Sequence, residues 1–218
     1  MLFDFIRGNI DFLQFLIYLF SSLVVVFLIL PIHEMAHGFV AYKLGDPTAK
    51  NLGRLTINPF AHIDYIGAAL ILVFGFGYAK PVPVNPFYFK RPKRDMALTA
   101  LAGPVSNILV ALVALILYRV FFKFTYGTAL GSVILSFLSF FITTNIHLAV
   151  FNLIPIPPLD GSRIVAWLLP LKAEEIYYKA EKYGPFILLI ILYFNGFTYI
   201  FKLANILQMY LYQILQVF

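Results

Sequence analysis

The sequence predicts an all-α polytopic membrane protein, with about four to six transmembrane helices and one membrane-dipping β-ribbon segment. Three observations carry that prediction. Of 218 residues, 61% are hydrophobic and only 12% are charged, whereas a soluble domain carries about a quarter of its residues as charges. Apolar runs recur that reach the length of about 20 residues needed to cross the hydrocarbon core. The cations gather in short segments between those runs, a distribution that orients a protein in its membrane. The whole chain, 1–218, reads as one integral-membrane domain, with a core over about 12–165 and a C-terminal membrane segment over about 183–218.

Composition narrows the function. With 24 Phe and 14 Tyr against one Trp, tyrosine supplies the interfacial aromatic belt. The absence of cysteine excludes disulfides and thiolate metal ligands. The net charge of +6 is that of loops facing a bilayer and needs no nucleic acid as partner.

The first helix is expected from about Phe12 to Lys43. Residues 12–32 carry no charge, and no small-x-small cleavage site precedes His33, so the segment reads as a retained anchor. Pro31 should remove a backbone bond to Phe27 and bend the helix. Directly after it comes PIHEMAHGFVAYKL, Pro31–Leu44, with His33, Glu34 and His37 in an H-E-x-x-H frame. Residues four apart share a helix face, so both imidazoles can meet one metal ion, with Glu34 placed to take a proton from its water. Two nitrogen ligands, an open position and a carboxylate suit zinc, one ion per chain. A soluble zinc enzyme would carry this motif on an amphipathic helix. Here it sits in a membrane-length apolar run, where ionisable groups are costly and mark function.

Gly45, Asp46 and Pro47 predict a turn, and Arg54–Pro59 (RLTINP) alternates like a short strand closed by Asn-Pro. Ile66–Phe76 is too short to span as a straight helix and reads as re-entrant or tilted. Tyr78–Pro86 (YAKPVPVNP) is held extended by its prolines. Asn58-Pro59 and Asn85-Pro86 would then close two arms of one ribbon that walls the site, since irregular backbone at membrane depth must be buried in protein or line a wet cavity. Lys90, Arg91, Lys93 and Arg94 mark a cytoplasmic loop. Met96–Phe122 is the next span, with small residues Ala102, Gly103 and Ser106, a kink at Pro104 and a buried polar group at Asn107. Leu130–Asn152 returns through the membrane into NLIPIPPLDG (152–161). A second basic region covers 162–182, and Tyr183–Phe218 is a final apolar stretch, either one long helix or two pieces broken near Asn195-Gly196.

A zinc site requires a third protein ligand. Asp160 ends a proline-rich break, and an N-cap for a helix starting near Ser162 is its rival role. His147 lies mid-span, where a buried hydrogen-bonding histidine is the commoner case. His62 sits beside Asp64 in a loop and can be a packing residue. Ligand chemistry leans towards Asp160 and leaves the other two open.

Taken in order, HEMAH, NPFAHID, AKPVPVNP, LAGPVSN and FNLIPIPPLDG resemble the motifs of the site-2 protease family of intramembrane zinc metalloproteases. The resemblance runs from about Pro31 to Gly161 and fits a compact form without PDZ or CBS domains. It implies that His33, His37 and Asp160 bind zinc and that Glu34 is the general base. It further implies that Asn152 helps hold the substrate backbone, and that the ribbon dips into the membrane and pairs with an unwound substrate. The paired Asn-Pro closures around the extended sequence put the expected substrate-facing edge at Thr56 or Ile57. The activity it implies is endopeptidase cleavage within or near transmembrane segments of membrane proteins, in regulated intramembrane proteolysis. The setting it implies is a prokaryotic inner membrane with the active site toward the cytoplasm. Its competitors are a zinc transport or metal-storage protein, which needs no non-ligand base at Glu34, and a catalytically idle membrane module.

Overall fold

The computed structural model describes residues 5–74, 79–194 and 197–214. These gather into two compact units, one reaching to Lys90 and one from Arg91 onward.

In the first unit, helix α1 (Phe12–Val24) runs through a π-helical turn (Val25–Ile29) into helix α2 (Leu30–Lys43). The turn is the form that the expected proline bend takes. Pro31 has no N–H and its ring crowds the carbonyl four residues back. The backbone answers by widening one turn, so that the Leu30 N–H donates to the Val25 carbonyl, five residues earlier. Such turns rotate everything that follows, and here the histidine motif follows. Helix α2 ends at Gly45, whose φ of +112° suits glycine at a helix C-terminus.

Asp46 is fully buried. Its Oδ1 accepts from the Thr48 N–H at 2.9 Å, and its Oδ2 accepts from the Asn85 N–H at 2.7 Å, fastening the extended 79–85 arm to the end of α2. After the short helix α3 (Thr48–Asn51) come residues 54–58 and a 3-10 turn at Pro59–Ala61. Asn58 caps that turn through Phe60 N–H, and Asn85 caps a matching turn (Pro86–Tyr88) through Phe87 N–H. The paired Asn-Pro closures are thus helical caps.

No strand forms among the described residues of the two arms. Their one backbone bond is Lys80 N–H to the His62 carbonyl, at 2.9 Å. Pro81 and Pro83 have no N–H to extend it into a ladder. A side chain does the joining instead: Arg54 Nη2 donates to the Lys80 carbonyl, while His62 Nε2 donates to the Thr56 carbonyl and braces the first arm on itself. Helix α4 (Tyr65–Phe74), capped by Asp64 through the Ile66 and Gly67 N–H groups, covers only about 15 Å. The described residues stop there, and the expected continuation of this segment lies outside them.

The second unit is built on two long helices, α5 (Pro92–Thr125) and α6 (Ala129–Asn152), which pack on each other. The buried side of α5 carries Ala97, Ala100, Gly103, Asn107, Ala111 and Ala114, at spacings of three and four that make one helix face. Small residues there let the backbones approach, as in membrane interfaces generally. The helix continues through Pro104, and Asn107 is fully buried, as expected of a polar group in this face. Helix α7 (Asp160–Leu168) packs against α5. A Cβ on Gly161 would strike the Leu153 carbonyl, so the loop between α6 and α7 can close only on glycine.

Helix α8 (Leu171–Ala180) is pinned by Tyr177 Oη donating to the Pro155 carbonyl and by Glu174 pairing with Lys93 at 2.6 Å. Helices α9 (Gly184–Tyr193) and α10 (Phe197–Ile214) make up the C-terminal stretch in two pieces, with the expected break at 195–196 outside the described residues. Helix α10 packs on α6, where Gln208 Nε2 donates to Thr143 Oγ1 at 3.0 Å. Among the described residues three helical stretches are long and apolar enough to cross a membrane: Phe15–Lys43, Pro92–Thr125 and Ala129–Asn152. The chain is an integral membrane protein.

Candidate metal centre

Helix α2 puts His33 and His37 on its buried face, 4% and 9% exposed. Their Nε2 atoms lie 3.0 Å apart, with the rings edge to face and centroids separated by 4.6 Å. Two nitrogens each about 2.0–2.1 Å from a tetrahedral zinc would stand roughly 3.3 Å apart. The two imidazoles therefore already converge as ligands of one ion must, and the donor set fits zinc.

Glu34 is half-buried one residue along the helix. Its Oε2 accepts the Val82 N–H at 2.8 Å, a charge-assisted bond of a kind that contributes about 1.5–3 kcal/mol. The 79–85 arm thereby fixes the carboxylate that the motif supplies. Gly38 makes this approach possible. A Cβ there would lie 2.9 Å from Leu55 Cδ2, 3.1 Å from Val82 Cγ1 and 3.2 Å from Ala49 Cβ, so a side chain would crowd one residue of each arm.

Two residues of this site carried no signal of their own in the sequence. Arg54 is 8% exposed, and Nη2 donates to the carbonyls of Lys80 at 2.6 Å and Pro81 at 3.3 Å. Burial draws its guanidinium below the ordinary arginine range, and the negative charge of Glu34 acts in the opposite direction. Asp46 is the other, the buried clamp described above. A lone Arg before an alternating stretch, or an Asp in a Gly-Asp-Pro turn, reads locally as surface; only the approach of the 79–85 arm buries them.

The remaining candidates separate by environment. Nε2 of His62 is spent on the Thr56 carbonyl at 2.8 Å, and the ring is 1% exposed; its side chain braces the first arm, and its backbone carbonyl takes the Lys80 N–H of the second. His147 Nδ1 donates to the Thr143 carbonyl at 2.7 Å, and its ring packs on Phe201, as a packing histidine does. Asp160 is the first residue of α7. The N-cap position is held by Leu159, so Asp160 lies one residue inside, in the first turn of α7. Asn152 closes α6, with Nδ2 donating to the Leu148 carbonyl at 2.9 Å.

Comparison with known proteins adds a lineage. The model of peptidase family M50 matches residues 121–194. A protein of Bacillus subtilis provisionally named zinc metalloprotease YwhC is 43% identical over 178 residues, covering 80% of this chain and 79% of that protein. One of Methanocaldococcus jannaschii, provisionally named zinc metalloprotease MJ0611, is 32% identical, covering 62% of this chain and 63% of its own length. One of Mycolicibacterium smegmatis, provisionally named zinc metalloprotease Rip2, is 27% identical over 74% of this chain and 62% of its own length. The chain thus spans less than two thirds of the latter two. No solved structure matches it significantly.

Proposed function

Because the chain belongs to peptidase family M50, and so is a zinc metallopeptidase, we propose that it cleaves peptide bonds within or near transmembrane segments of membrane proteins. The observation that carries this reading is the ligand pair and its carboxylate, His33, Glu34 and His37, on the helical stretch Phe15–Lys43 that is long and apolar enough to span a bilayer. In this reading His33, His37 and Asp160 hold zinc, one per chain, and Glu34 is the general base. When bound, zinc polarises the scissile carbonyl and lowers the pKa of its water towards roughly 7.

The chain's own residues do the rest. Val82 holds Oε2 of Glu34, so Oε1 is the oxygen we assign to the water's proton, which then passes to the leaving amine. Asn152 orients the substrate backbone, its own amide being fixed to Leu148. Membrane proteins that accumulate in cells carrying Glu34→Gln should be cleaved by the unaltered enzyme in vesicles; if none accumulates and none is cleaved, the proposal fails.

A helical substrate presents no free peptide edge and must unwind first, and an exposed backbone edge would replace its lost hydrogen bonds. Thr56 gives its carbonyl to His62, whereas Ile57 is 68% exposed. We assign the substrate-facing edge to Ile57. Ile57→Pro is expected to slow cleavage several-fold at unchanged folded yield, and Thr56→Pro to lower the yield itself, because it removes the hydroxyl that accepts the Asn58 N–H at 3.1 Å. Equal turnover per folded molecule in Ile57→Pro and unaltered protein would remove the edge role.

The basic residues 90–94 and the 162–182 region support a reading in which the active-site side faces the cytoplasm, in the inner membrane of a prokaryotic cell. Lys90 and Lys123 are both exposed, and the chain has no cysteine of its own. With single cysteines introduced, a membrane-impermeant maleimide added outside intact cells should label Lys123→Cys and spare Lys90→Cys. The reverse pattern would invert the orientation.

A further inference from the structure

Arg54 is a buried cation whose guanidinium hydrogen-bonds to backbone carbonyls, with the charge of Glu34 acting on it. Nη2 alone serves both the Lys80 and the Pro81 carbonyl, and Nε has no hydrogen-bond partner among the described residues. Burying a guanidinium is costly unless its charge is compensated or used, and the negative charge that acts on Arg54 is that of Glu34. A neutral donor would join the arms at lower cost. What the joined backbone does next is specific: the residue after Pro81 is Val82, and its N–H is the donor to Glu34 Oε2 at 2.8 Å. The arm is also fastened at its ends, by the Lys80 N–H on the His62 carbonyl and the Asn85 N–H on Asp46 Oδ2. Beside Val82 itself, however, the flanking Pro81 and Pro83 cannot donate, and Arg54 is the side chain that holds the Pro81 carbonyl. Arg54 is itself held, its own N–H donating to the Ala49 carbonyl at 2.8 Å. One hydrogen-bonded path therefore runs from Arg54 through residues 80–82 to the carboxylate.

We propose that Arg54 is a positioning residue for peptide hydrolysis, setting the Val82 amide against Glu34 and so fixing the orientation of the general base. This rests on the reading of Glu34 as that base. The role is distinct from that of the ligands, since the path ends on the carboxylate and not on His33 or His37.

The test uses the full-length protein in vesicles, with kcat, KM, zinc per chain and melting temperature measured for each variant. Arg54→Met keeps the bulk and removes donor and charge. It is expected to lower kcat by about 10- to 100-fold, the usual effect of losing a partner that orients a site, with KM and zinc content unchanged. Because a single nitrogen serves both carbonyls, a lysine ammonium can replace it, so Arg54→Lys should restore most of kcat. Val82→Pro removes the aimed amide while suiting an extended residue before proline. It should lower kcat similarly, and combining it with Arg54→Met should cost little more than either alone. Additive losses, or an Arg54→Met protein with unchanged kcat, would overturn the proposal. If Arg54→Met does not fold, Val82→Pro decides: folded, zinc-loaded and fully active, it excludes the positioning role. Glu34→Gln measured alongside separates the two layers, since cleavage by that variant would sink the general-base reading itself, however Arg54 behaves.

Discussion

Glu34→Gln is expected to retain one zinc per chain and to cleave about 10²- to 10⁴-fold more slowly, the usual weight of a positioned general base. Glutamine has almost the same shape, and its carbonyl oxygen can still accept the Val82 N–H that now reaches Oε2. The arm should therefore stay seated and the fold should survive. What disappears is the ability to take a proton. Metal analysis on purified protein, with cleavage of a transmembrane substrate in vesicles, measures both quantities. A metal carrier or store would keep its zinc and have no cleavage to lose, so the unaltered protein must cleave for the comparison to count. Undiminished cleavage by Glu34→Gln would remove Glu34 from the chemistry.

Asp160→Asn is expected to release zinc under mild chelation, with affinity lower by more than about 100-fold, since loss of a partner merely supporting a ligand already costs 10–100-fold. The competing explanation was helix capping, for which Asn serves about as well as Asp. In the structure Leu159 occupies the cap position and Asp160 follows it in the first turn of α7. A neutral amide oxygen is a poorer donor to a dication, and two imidazoles are left to hold it. His147→Asn is the control. It removes a ring bonded to Thr143 and packed on Phe201, so it should lose some stability and keep a full zinc equivalent. Full zinc in Asp160→Asn and none in His147→Asn would transfer the third-ligand role to His147.

Much of this was legible in one dimension because it depends on short-range periodicity. His33 and His37 converge because a helix repeats every 3.6 residues, and the spans follow from the length of uncharged apolar runs. Pro31 foretold a distortion before the motif, although not that it would be a π-helical turn, which depends on where the displaced carbonyls find donors. The two arms show the limit of the same reasoning. Alternation in Arg54–Pro59 and the extended prolines of 78–86 suggested a ribbon, yet no strand forms among the described residues. Proline fixes a backbone as extended while taking away the donors that a ladder needs.

What the sequence determined by itself was the fold class, the metal motif and the lineage of the chain, all properties of neighbours within a few turns or of ordered motifs. Tertiary structure alone decided which polar groups are buried and what they hold. Asp46 meets Asn85, Arg54 meets Lys80 and Pro81, and Glu34 meets Val82, across separations of 26 to 48 residues. No local pattern encodes such pairings. They exist because Gly38 lets the 54–58 and 79–85 segments lie against the motif helix, where each polar group cut off from water must find a partner in the other chain segment.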